Sequence, residues 1–152
     1  MRDEWRTPQY VLRHVAVTLD VPWFDYDTAC TLEDAIAPPI WKGESTTDAL
    51  RCRWLKLLWC NPPYSAIPTW VKYALGQAEH PHTRIVLLLP SPNGEKIYQS
   101  LLMAGNVQQT HVIGRIAFLN SAGVPRQGNP RGSSLFYLNC NHIKVPKTYA
   151  HT

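Results

Sequence analysis

Between residues 57 and 70 the chain reads LLWCNPPYSAIPTW, an apolar run that ends on Asn61-Pro62-Pro63-Tyr64. Neither proline has a backbone N–H, and each confines the residue before it to extended geometry, so a strand cannot continue through them. The segment is held stiffly where the strand stops. A side-chain amide, a backbone carbonyl fixed between prolines and an aromatic ring stand together there, so something must be held at that point. With each residue taken as a roughly 5 per cent type, this tetrapeptide arises by chance about once in a thousand chains of this length. The plain alternative is a rigid turn with a core tyrosine.

Such a turn needs elements to position it. WFDYD (23 to 27) and WLKLLWC (54 to 60) have the character of short strands, IVLLLP (85 to 90) is an apolar run ended by proline, and VIGRIAFL (112 to 119) and SSLFYLNC (133 to 140) follow. Runs apolar on both faces predict a central, mostly parallel sheet. Between them, 67 to 79 places Trp70, Val71, Ala74, Leu75 and Ala78 at helical spacing, and 93 to 105 does so with Ile97, Leu101 and Leu102. Strands alternating with helices predict a doubly wound α/β sheet with helices on both faces and ligands at the carboxyl ends of its strands. Asn61 stands at such an end.

The 152 residues suit one domain, 1–152, with no room for a separate target-recognition domain. No apolar run approaches the roughly 20 residues of a membrane span, and charged residues follow Met1, so the expectation is a soluble, cytoplasmic protein without membrane contact. Nine of the eleven acids lie in residues 1 to 48 and none follows Glu95, whereas Lys96, Arg115, Arg126, Arg131, Lys144 and Lys147 do. That cationic end suits a polyanion such as nucleic acid, the alternative being a solubilising basic face. The loop from 120 to 134, rich in Gly, Pro, Asn and Ser, carries Arg126 and Arg131.

Cys30, Cys52, Cys60 and Cys140 form no Cys-x-x-Cys pair and are expected as reduced, mostly buried thiols. His80 and His82 flank Pro81 in a polar turn, and no metal is assigned.

The Asn-Pro-Pro-Tyr tetrapeptide resembles the catalytic motif of the amino-methyltransferases, which use S-adenosylmethionine to methylate an exocyclic or amide nitrogen. The residue types suit that chemistry. The N6 amine of adenine is a poor nucleophile because its lone pair is delocalised, and two acceptors, Asn61 Oδ1 and the Pro62 carbonyl, can orient it without a strong base. Tyr64 offers a stacking face for a flipped-out base. Cytosine N4 enzymes more often carry Ser in place of Asn, so adenine is favoured. Cys60 precedes Asn-Pro, whereas the covalent cysteine of cytosine C5 methylation follows a proline, so Cys60 is expected in the core.

In chain order DEWRTPQYVL, FDYDTAC, TTDAL, LWCNPPYS, IVLLLP, GRIAF and GNPRGSSLFYL resemble the phage-type DNA N-6-adenine methyltransferases over nearly the whole chain. The resemblance implies a compact Rossmann-like S-adenosylmethionine-dependent sheet, reduced in size, acting in a bacterial cell or phage-infected host on double-stranded DNA. A homodimer is compatible with it. Pro63 completes the catalytic set of Asn61, Pro62 and Tyr64. Thr7 and Pro8 match the family's cofactor stretch near the methionine moiety, and Asn61 also borders the cofactor. Asp27 matches the acid that ends the first strand and receives the cofactor's amino group or ribose hydroxyls, with the register against Asp25 open by two residues. Asp48 matches the acid that accepts the amine of the cofactor's adenine, with Ala49 and Leu50 as apolar contacts. Arg115, Arg126 and Arg131 are expected to meet DNA phosphates.

Each cofactor residue has an ordinary explanation as well: an extended Thr-Pro pair, or an aspartate helix cap. The Gly-x-Gly turn usual after the first strand of this fold is absent from DYDTACTLED, where Thr28, Ala29 and Cys30 are the small residues. Two other readings stand beside DNA methylation. One is methylation of RNA or of protein glutamine, since enzymes of that kind carry the same tetrapeptide; the other is a non-catalytic protein that binds cofactor or DNA.

Overall fold

The computed structural model describes residues 6–43, 46–91, 96–120, 122–125 and 132–151. They form a mixed α/β fold around a six-stranded sheet. The strands β1 (Tyr26–Asp27), β2 (Lys56–Cys60), β3 (Thr83–Pro90), β4 (Val107–Ile113), β5 (Ser133–Leu138) and β6 (Thr148–Ala150) lie in the order β1-β2-β3-β5-β4-β6. The helices are α1 (Gln9–Leu19), α2 (Ile67–Gln77) and α3 (Lys96–Met103), with 3-10 turns at Thr46–Arg51 and Tyr64–Ala66.

Successive strand side chains point to opposite faces, and here both faces are covered. Leu58 and Cys60 of β2 and Leu87 of β3 pack with Trp70 and Ala74 of α2 and Leu101 of α3. Leu57, Trp59 and Val86 pack on the other face with Val11, Leu12 and Val15 of α1. Each large apolar side chain fully removed from water contributes about 1.5–3 kcal/mol, which is what fixes the strand ends that carry the site.

The sequence reading places no element at residues 9 to 19, yet α1 forms there. Val11, Leu12, Val15, Ala16 and Leu19 make one buried stripe. Pro8 stands at the N-cap, where a missing N–H is harmless because the first-turn donors have no intrahelical partner. Asp20 closes the helix in the left-handed region at φ 56°, its N–H donating to the carbonyls of Ala16 and Val17.

Two expectations need correction. VIGRIAFL is not one strand: β4 ends at Ile113, and Gly114, at φ 84°, turns the chain out of the sheet. The sheet is mostly parallel but not wholly so, because β5 runs antiparallel to both β3 and β4. The cause is the connection. Ser133 pairs with Val112 near the exit of β4, so the chain re-enters at the end it left and needs no crossover helix.

Candidate active site

Parallel β1 and β2 bring two predicted residues to one edge, since Asp27 pairs in register with Trp59 and Asn61 follows the end of β2. Beyond Asn61 the prolines keep the backbone extended, with Pro63 at φ −61° and ψ 135°, before it tightens into the 3-10 turn at Tyr64 and then α2. Pro62 is buried and Asn61 half-buried. Tyr64 packs against the α2–α3 side of the core and is also half-buried.

Asn61 Nδ2 donates to Thr7 Oγ1 at 3.2 Å. An amide has one carbonyl oxygen and one NH2 group, so engaging the nitrogen points Oδ1 the other way. Thr7, Asp27, Trp59 and Asn61 line one cavity. Pro8 is buried behind Thr7 as the start of α1.

Asp27 is 4% exposed. Its Oδ2 accepts the Ile36 N–H at 3.1 Å, while Oδ1 has no hydrogen-bond partner among the described residues. Burial raises its carboxyl to about 7, with the charge of Asp34 adding to the shift and the N–H groups of Ile36 and Thr28 opposing it. Asp25 is engaged elsewhere, its Oδ2 accepting the Leu57 N–H at 3.0 Å, so the acid that faces the cavity is Asp27.

A second cavity, about 540 Å³, is lined by Thr46, Thr47, Leu50, Pro63, Ala66 and Trp70 among others, and shares Ala29, Cys30 and Asp34 with the first. The two spaces meet at the glycine-free turn. Thr28 anchors that turn by donating Oγ1–H to the Trp59 carbonyl at 3.0 Å, and Thr46 Oγ1–H donates to the Cys30 carbonyl at 2.7 Å. Of the predicted adenine-side residues, Leu50 lines the cavity, Ala49 is fully buried beneath it, and Asp48 is not in the lining. The Asp48 carboxylate is folded onto Gly43, where a Cβ would lie 1.7 Å from its Oδ2. A side chain at position 43 would displace that carboxylate.

Cys60 is wholly buried, its thiol pushed up to about 12 by burial, which leaves it no role as a nucleophile. Cys30, Cys52 and Cys140 are free thiols as well. Among the described residues no three His, Cys, Asp or Glu side chains gather to hold a metal. Nor is any helix among them long and apolar enough to cross a membrane.

Arg115 is exposed just past the turn at Gly114. Arg126 and Arg131 lie outside the described residues. Sequence reasoning missed Asp34, which borders both cavities; its Oδ1 accepts the Thr31 N–H at 2.7 Å while Thr31 Oγ1 accepts the Asp34 N–H at 3.3 Å. The Thr-x-x-Asp spacing in TLED is the signal for that reciprocal box. An open groove of about 570 Å³ at the outer edge of β4, lined by His111, Lys144 and Lys147, was not anticipated either.

The first cavity is small, about 30 Å³, and offers hydroxyl, amide and carboxylate groups; the second is larger and offers mostly apolar surface, so the pair suits a ligand with a polar end and a bulkier, less polar end. Among the described residues a buried carboxylate oxygen lacks a partner in the first space. The family model for DNA N-6-adenine-methyltransferase (Dam) matches residues 1–149. A protein of Escherichia phage T1 named DNA N-6-adenine-methyltransferase is 28% identical over 155 aligned positions, covering 91% of this chain and 63% of the phage protein. The chain thus spans less than two thirds of that relative's length, and no solved structure matches it. A family match across nearly the whole chain, with the Asn-Pro-Pro-Tyr segment at a strand end beside a buried acid, places this protein in the DNA N-6-adenine-methyltransferase (Dam) family.

Proposed function

We propose that the protein transfers a methyl group from S-adenosylmethionine to the N6 amine of adenine in double-stranded DNA, on a reduced Rossmann-like sheet whose ligand end is the carboxyl edge of β1 and β2. The observation that carries this reading is the Asn61 amide, tied through its nitrogen to Thr7 in the cavity that holds the unpartnered Asp27 oxygen. With the amide so fixed, Asn61 Oδ1 accepts one N6–H and the Pro62 carbonyl the other. The two bonds orient the amine and localise its lone pair, and no strong base is needed. The two prolines keep that carbonyl from moving, and Tyr64 gives the extruded base a stacking face.

S-adenosylmethionine, when bound, supplies the electrophilic methyl group. Asp27 holds its amino group, and Thr7 and Pro8 border its methionine moiety. Asp48, Ala49 and Leu50 serve its adenine end, with Leu50 already in the cavity wall and Asp48 two residues before it in the same 3-10 turn. Arg115, Arg126 and Arg131 meet backbone phosphates. The test is to incubate the purified protein with S-adenosylmethionine and unmethylated plasmid and to map N6-methyladenine. Modified adenines support the reading, whereas methylation confined to RNA or to protein glutamine replaces it.

A further inference from the structure

The groove of about 570 Å³ at the outer edge of β4 has His111, Lys144 and Lys147 in its lining and no acidic side chain. All three are exposed. The segment that supplies the lysines is tied to β4 before any ligand arrives. Gln108 Nε2 donates to the Cys140 and Ile143 carbonyls at 3.2 and 2.7 Å, while its Oε1 accepts the Val145 N–H at 3.1 Å. The Thr110 hydroxyl donates to the Pro146 carbonyl, and the His111 N–H donates to the Lys147 carbonyl at 2.8 Å. Lys144 and Lys147 therefore project from a backbone already fixed. A concave, preset group of cations without a carboxylate is the complement of a chain of anions.

The sheet register relates this groove to the Asn-Pro-Pro-Tyr turn. Cys60, next to Asn61, pairs with Leu87, Leu87 with Phe136, and Phe136 with Gln109, which lines the groove. These residues form one row across β2, β3, β5 and β4. With neighbouring strands about 4.8 Å apart, that row spans about 14 Å, the length of about four nucleotides along one strand of B-DNA. Resting on the DNA reading above, we propose that the groove seats the sugar–phosphate backbone of the duplex whose adenine is extruded, about four base pairs to one side of that base. Lys144 and Lys147 pair with phosphates, and His111 donates a ring N–H, which an imidazole has in either tautomer. Such contacts carry no sequence information. They set how the duplex lies across the carboxyl edge of the sheet.

The test is duplex binding, read by fluorescence anisotropy over a series of salt concentrations. Wild-type protein is compared with Lys144→Gln/Lys147→Gln and with the charge-keeping Lys144→Arg/Lys147→Arg, on duplexes built around a mapped methylation site. The Gln variant should flatten the slope of log K against log salt by about 1.8, two contacts at about 0.9 each, and the Arg variant should keep the wild-type slope. Trimming the duplex to about two base pairs on one side of the target adenine should abolish the difference between wild-type and Gln proteins, because the seated phosphates are then gone; trimming the other side should leave it. A wild-type slope in the Gln variant overturns the assignment. So does a difference that survives both trims, or one seen only with single-stranded RNA of matched length. Wild-type protein that binds no duplex removes the DNA reading itself and the groove assignment with it.

Discussion

Thr7 Oγ1 and Asn61 Nδ2, 54 residues apart in the chain, are hydrogen-bonded at 3.2 Å in the cavity that both residues line. The resemblance assigns Thr7 to the cofactor, and the structure gives it a second task as the partner that orients Asn61. Thr7→Val keeps the shape and removes the acceptor, so kcat should fall about 5- to 30-fold, the weight of one hydrogen bond of about 1–2 kcal/mol, with little change in the KM for the methyl donor. Thr7→Ser should restore most of it. A Thr7→Val enzyme impaired in donor KM alone would return Thr7 to the cofactor.

The pH dependence of cofactor binding follows from Asp27. Its carboxyl sits at about 7 in the free protein against an ordinary 3.8, so between those values the folded chain binds more protons than the unfolded one. By linkage, stability then falls as pH rises from about 4 to about 7 and is level above. An ammonium ligand favours the ionised form, so affinity for S-adenosylmethionine should rise from pH 5 towards about 7.5, with a proton released on binding at the acid end. Titrations in two buffers of different ionisation heat read both quantities. Asp27→Asn should flatten the profile; an unchanged pH profile in that variant would place the titrating group elsewhere.

Tyr64 is proposed to act through its ring. Tyr64→Phe should keep near wild-type kcat/KM, whereas Tyr64→Ala should lose about 1–3 kcal/mol of it, the worth of one base stacked on an aromatic side chain. Steady-state rates on a single-site duplex decide this. A Phe variant as poor as Ala would give the hydroxyl the role instead.

Arg115 is exposed beyond the turn at Gly114, where the chain leaves β4. If it meets a phosphate, Arg115→Ala should weaken DNA binding about equally for all sequences and flatten the slope of log K against log salt by about 0.9, leaving cofactor affinity alone. Should the melting temperature drop while the salt slope stays put, Arg115 is a structural partner within the fold.

Several features of the site were legible in the sequence because the chemistry is local. The prolines after an apolar run mark the end of β2, the helical spacing of Trp70, Val71 and Ala74 marks α2, and the small residues after Asp27 mark a turn that lines both cavities. What stayed hidden depends on distant parts of the chain. Nothing local says that Thr7 meets Asn61, that Asp48 folds onto Gly43, or that β5 enters between β3 and β4 in the opposite direction. The helix α1 has a local signal as well, since its stripe of Val11, Leu12, Val15, Ala16 and Leu19 is helical in period.

Asn61→Ala tests the central claim most directly. Rates of methyl transfer from labelled S-adenosylmethionine to unmethylated duplex are compared for wild-type and variant protein, with cofactor affinity and melting temperature measured on the same samples. Loss of an interaction made in the transition state costs on the order of 2–4 kcal/mol, so the variant should transfer about 30- to 1000-fold more slowly to adenine N6 while its fold and cofactor binding persist. Transfer at the wild-type rate by a folded Asn61→Ala protein would contradict the account.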